Sequence, residues 1–133
     1  VTVHGGIRTI SIPQFENAMK NMKEIATRNL PGTTANIKFK TSYPPMEPTK
    51  ENYALLDQME AVNLALGYGK LEALDPSKRG AADISFVAPH VDASLAGMGP
   101  DGFGGHSENE GLDLLSFPKT TTRAAILIYR LTR

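Results

Sequence analysis

The chain has 133 residues, with 14 Lys and Arg balanced by 14 Asp and Glu, and no cysteine. That length suits one compact domain or two small pieces, and a content of 41% hydrophobic and 21% charged residues excludes a long disordered chain. The zero charge balance gives no electrostatic footing for nucleic acid or an anionic membrane as partner, the missing cysteines exclude disulfides and Cys-ligated metal, and no apolar run approaches the ~20 residues of a membrane helix.

Val1 to His4 reads as a strand or arm, and Gly6 to Ile10 as a strand after the Gly5-Gly6 interruption. A start inside strand-like sequence is unusual for a natural protein, so the expectation is a piece of a longer chain. Ser11 with Gln14 forms a capping-box pattern, and Pro13 suits a first helical turn. Phe15, Ala18, Met19, Met22, Ile25 and Ala26 then recur at helical spacing, and Pro31-Gly32 is expected to end that helix. Ala35, Ile37 and Phe39 alternate with Asn36, Lys38 and Lys40, the pattern of a half-buried strand. Residues 1–41 therefore predict strand, helix and strand.

The prolines of Tyr43-Pro-Pro-Met-Glu-Pro48 exclude regular helix or central strand and mark the best domain boundary. Thr49 caps a second helix. Its apolar face holds Leu55, Leu56, Met59, Val62 and Leu66, widened by Ala61, Leu64 and Ala65, and Gly67-Tyr-Gly69 stops it. Residues 70–111 are rich in loops; Ile84–Val87 predicts a helical turn and Ala93–Ala96 a strand. A last helix begins at Ser116, with Ser as cap and Pro118 in the first turn, and runs through Ile128 and Leu131.

Three stretches carry candidate chemistry. In Gly97 to Glu110, His106 follows two glycines and precedes Glu108 and Glu110. Such a histidine is either solvated on a surface loop or close to another element, with an acid orienting its ring. In Lys78-Arg-Gly-Ala-Ala-Asp-Ile-Ser85, Asp83 either caps a turn or sits where small residues let a ligand approach. Arg8 either faces solvent or clamps a carboxylate with its planar fork. His4 and His90 have no companion pattern and read as structural or exposed. No HxxxH, HExxH, P-loop or GxSxG pattern is present.

Taken in order, these stretches resemble the C-terminal part of the zinc-dependent carboxypeptidase and aminoacylase family, which includes bacterial glutamate carboxypeptidase. Gly6-Ile-Arg-Thr-Ile-Ser11 with its following helix is similar to the family's D-x-R-x-L-S strand and helix. Asn36-Ile-Lys-Phe39 looks like the returning strand of the lid domain, and Arg79-Gly-Ala-Ala-Asp83 like the G-G-[ST]-D loop. Gly104-Gly-His-Ser-Glu-Asn-Glu110, with Leu112-Asp-Leu and the closing helix, looks like the family's G-x-H-[ST]-x-x-E-x-[IV] ending. The chain departs from the family at Gly6, usually Asp, and at Ala81-Ala82, usually Gly-[ST], differences that bear on substrate identity.

The resemblance implies an α/β fold, the C-terminal half of a two-domain di-zinc exopeptidase. Residues 1–42 would be the second half of a ferredoxin-like lid or dimerisation domain. Residues 43–133 would be the returning α/β segment of the catalytic domain. His106 would ligate zinc, Arg8 would bind the substrate's free carboxylate, and Gly80, Ala81 and Asp83 would line the same pocket. The substrate would be a peptide or N-acyl amino acid, attacked by zinc-bound hydroxide with the help of a Glu that this chain does not contain. The other ligands would also lie upstream, so the chain alone is expected to be inactive and to bind zinc weakly at most. Unpaired sheet edges would drive it to form a homo-oligomer or to associate with the missing N-terminal part. The alternative is a non-catalytic assembly or dimerisation module of the same fold; a third reading is an unrelated α/β binding domain. The compartment stays open, cytoplasmic or periplasmic.

Overall fold

Ser11 opens the first helix, α1 (Ile12–Ala26), as the sequence predicts. Its hydroxyl accepts the N–H of Gln14 at 3.3 Å, and Gln14 Oε1 accepts the N–H of Ile10 at 2.8 Å. Two free N–H groups of the helix entry are thus satisfied reciprocally. The computed structural model describes residues 1–78, 80 and 82–133. Their contacts divide into two interleaved units, Val1–Pro48 with Leu74–Asp92, and Thr49–Ala73 with Ala93–Arg133. The first division falls immediately after the proline-rich stretch.

In the first unit α1 ends at Ala26, earlier than Pro31-Gly32 suggests. The Thr27 hydroxyl donates to the Glu24 carbonyl at 2.7 Å and the Arg28 N–H to that of Ile25 at 2.9 Å. These local bonds tighten the last turn and turn the chain out of the helix. Phe15, Ala18, Met19 and Ala26 are half-buried, but Met22 and Ile25 are exposed and no residue of α1 is fully buried.

The expected strands at 6–10 and 35–40 do not form. Their alternation survives as burial: Ile7, Thr9, Ile37 and Phe39 are half-buried, while Arg8, Asn36, Lys38 and Lys40 are exposed. A strand needs a neighbour for its N–H and C=O groups as well as a two-residue period, and no ladder joins these segments to other described residues. The Lys23 ammonium lies 5.7 Å from the centre of the Phe39 ring, which ties the second segment to α1. This unit also holds the short helical turn α3 (Ile84–Val87).

The second unit contains the core. Helix α2 (Lys50–Ala65) starts at Thr49, whose hydroxyl accepts the Asn52 N–H at 3.1 Å. It stops where Gly67 takes φ +73°. There the N–H groups of Tyr68 and Gly67 reach the carbonyls of Asn63 and Leu64, both at 3.0 Å, in a Schellman ending. Met59 and Val62 of α2 meet Leu127 of α4 (Ser116–Leu131), with Leu56, Leu66, Leu71, Leu95, Met98 and Ile126 packed around them. Ala61, Leu64 and Ala65, expected to widen the apolar face, are exposed. Residues 93–96 form no strand; the N–H of buried Ser94 donates instead to Asn52 Oδ1 at 2.7 Å.

Two short strands, β1 (Gly102–Phe103) and β2 (Gly111–Leu112), pair antiparallel with Phe103 opposite Gly111. Ser116 proves to be the first residue of α4 rather than its cap. Its hydroxyl accepts the Asp101 N–H at 2.8 Å and donates to the Asp113 carbonyl at 2.7 Å. The described chain is therefore mixed α/β, with four α-helices and one small antiparallel sheet.

Much apolar surface is left uncovered. Ile25, Leu30, Leu114, Leu115, Phe117 and Ile128 are all exposed.

Candidate functional site

The strongest sequence signal maps to a hairpin tip. Residues 104–110 connect β1 to β2, and His106 is exposed near the apex of that loop. Gly104 and His106 both adopt left-handed backbone, φ +63° and +65°. At Gly104 a side chain would run into the Asn109 carbonyl, so glycine is required by space as well as by φ. At His106 the same backbone costs a non-glycine residue about 1–2 kcal/mol, so the surrounding bonds must hold it.

Those bonds are local. The Ser107 hydroxyl donates to the Gly104 carbonyl at 2.7 Å and accepts the Asn109 N–H at 3.2 Å. The Glu110 N–H reaches the Ser107 carbonyl at 3.1 Å. The Glu110 carboxylate accepts the backbone N–H of His106 at 3.0 Å. The acid expected to orient the imidazole thus holds the histidine's main chain. Beside the loop lies a shallow cavity of about 430 Å³, lined by Phe103, Gly105, Glu110 and Leu112 among others.

Arg8, Gly80 and Asp83 lie in the first unit, whereas His106 lies in the second. Arg8 is exposed and makes no hydrogen bond or ion pair with the described residues. Gly80 is exposed, and a Cβ there would meet only open space. Ala81 lies outside the described residues.

Asp83 precedes α3 but does not cap it: its own backbone is already helical, at φ −57° and ψ −27°, and its side chain makes no cap bond. Instead its carboxylate accepts the Tyr43 hydroxyl at 2.9 Å. The Tyr43 ring packs 5.1 Å, centre to centre, from Phe86. That hydrogen bond, and the negative charge of Asp83 behind it, raise the Tyr43 pKa above its ordinary value. Sequence reasoning missed Tyr43, since a tyrosine ahead of two prolines carries no chemical signature of a bond to a distant Asp.

Among the described residues no group of three or more His, Cys, Asp or Glu side chains is arranged to hold a metal ion. His4 and His90 are exposed. No helix of the described chain is long and apolar enough to cross a membrane. No protein-family model, curated protein or solved structure matches this chain.

Proposed function

We propose that this chain is the C-terminal part of a two-zinc metallopeptidase of carboxypeptidase type. Its parent hydrolyses an amide bond beside a free carboxylate in a peptide or N-acyl amino acid, and the chain alone is inactive. The observation that carries the reading is the loop Gly104 to Glu110: a histidine in left-handed backbone, exposed, on a hairpin closed by its own hydrogen bonds. A metal donor gains from such a fixed backbone, because a ligand held in place loses little freedom on binding.

One imidazole suits a zinc ligand, but a zinc site needs three or four, and His106 has no partner cluster among the described residues. His106 would therefore supply one nitrogen to a centre whose other ligands come from the parent's remaining sequence. When bound, the paired zincs supply a water of lowered pKa and a polarised carbonyl. Arg8, exposed and without an ion-pair partner among the described residues, supplies a fork matched to two carboxylate oxygens. Asp83, already engaged by Tyr43, contributes shape to the loop that would line the pocket. The exposed apolar side chains support a chain completed by further sequence, with a half lid domain in residues 1–42 and a catalytic segment in 43–133.

The test is zinc content by atomic emission in the full-length parent, with and without His106→Ala. Loss of zinc together with amidase activity is expected; unchanged zinc content overturns the reading. The same exposed apolar surface favours one second reading, a non-catalytic assembly module. In that case the parent would carry no stoichiometric zinc, and this chain would sediment as a defined oligomer.

A further inference from the structure

His106 is the one non-glycine residue with positive φ among the described residues, and an acid four places on reaches back to it. We infer that Glu110 is a positioning residue: its carboxylate, together with the turn from Gly104 to Ser107, fixes the left-handed backbone of His106 and hence the direction in which the imidazole leaves the loop. The functional meaning of this clasp rests on the reading of His106 as a metal donor; the clasp itself does not.

The remaining loop bonds do not end on His106, although the Ser107 N–H donates to the Gly104 carbonyl at 3.1 Å and closes a turn whose central residues are Gly105 and His106. Those made by the Ser107 hydroxyl, the Asn109 N–H and the Glu110 N–H join Gly104, Ser107, Asn109 and Glu110 to one another. Among the described residues only the Glu110 carboxylate bonds the His106 main chain, at 3.0 Å. Glu110 is itself anchored, because the next residue, Gly111, pairs with Phe103 across the hairpin. The carboxylate thus acts from a strand end onto a loop tip, and an ionised acceptor makes the stronger class of hydrogen bond. Glu108, the other acid in the loop, makes no bond to the described residues. The pair Glu108 and Glu110 therefore supplies its own control.

The experiment measures the solvent exchange of the His106 amide by NMR in the intact chain and in Glu110→Ala, Glu110→Gln and Glu108→Gln. Glu110→Ala should raise exchange about tenfold, the loss of one charge-assisted hydrogen bond, and move the His106 Cα and Cβ shifts away from left-handed values. Glu110→Gln retains an acceptor oxygen at the same reach and should keep most of the protection. Glu108→Gln should change nothing, and the contact of Phe103 with Gly111 should persist throughout. Unchanged exchange in Glu110→Ala, or an equal rise in all three variants, overturns the inference. None of these readouts needs metal, so failure of the zinc reading and failure of the clasp are separately visible.

Discussion

The ring of Phe103 lies across Gly111, its partner in the hairpin register, so closely that a Cβ at Gly111 would collide with it. Aromatic cover of a cross-strand glycine is a recognised way to fix a short strand pair. With only two residues per strand, this contact carries much of the hairpin's register. Gly111→Ala should displace the ring and cost about 1–3 kcal/mol, the usual range for overpacking. An NMR spectrum should show the Gly111 Hα shifted upfield by the ring in the parent chain and unshifted in Phe103→Ala. An unshifted Gly111 in the parent chain would contradict the packing.

Asn63 is the polar hinge of the second unit's core. It is buried at 2% exposure. Its Nδ2 donates to the Gly69 carbonyl at 2.9 Å, and its Oδ1 accepts an Arg123 guanidinium N–H at 3.3 Å. Arg123 Nε is already buried without a partner among the described residues. Asn63→Leu would leave the guanidinium with less compensation still and release the carbonyl that follows the end of α2. Urea denaturation should show a loss of about 1–3 kcal/mol. A change below about 0.5 kcal/mol, the usual range for surface substitutions, would count against this role.

The starts of α1 and α2 and the end of α2 were legible because their signals are local. Ser11, Gln14, Thr49 and Gly67 act within a turn of their own position, and each does what its chemistry predicts. The strands at 6–10 and 35–40 were misread because periodicity tells which side chains share a face and is silent about whether a pairing edge exists. Ile37 and Phe39 still turn inward, onto the surroundings of α1 rather than a sheet. At the candidate site, the glycines flagged the loop and its two acids flagged an interaction. That Glu110 would bond a main-chain N–H, and that Asp83 would bond Tyr43 forty residues earlier, depend on chain reversals that no short window contains.

The Tyr43–Asp83 bond has a signed pH dependence. The folded-state pKa of Tyr43 is raised, first by the hydrogen bond to Asp83 and then by its charge. A raised pKa means that folding favours the protonated phenol. The contribution is fully present below the ordinary tyrosine pKa of about 10 and is lost as pH rises through the folded value. Titration of the Tyr43 13Cζ resonance should give a midpoint above the ordinary tyrosine value of about 10, and Asp83→Asn should lower it. Coincident midpoints before and after the substitution would exclude the bond in solution.

Asp75 behaves in the opposite sense. It accepts the N–H of Ser77 at 2.8 Å and its hydroxyl at 2.7 Å. These bonds, the backbone one first, lower its pKa below the ordinary carboxylate value. A lowered pKa gives a contribution present above the unfolded-state value, which fades as pH falls through the folded one. Replacing Ser77 with Ala should move the Asp75 midpoint part of the way back up in a 13C carboxyl titration, since the backbone bond remains. A full return would show that the hydroxyl acts alone.

The hairpin is fastened from outside its own loop. The Asp113 N–H donates to the Asp101 carbonyl at 2.9 Å, and the Asp101 N–H donates to the Ser116 hydroxyl at the head of α4. These links lie on the far side of the strands from residues 104–110. A protease that nicked the exposed tip would cut the covalent path yet leave both ends stapled to the same helix. The two products would travel together until denatured, and the imidazole would sit on a severed strand still anchored at its root.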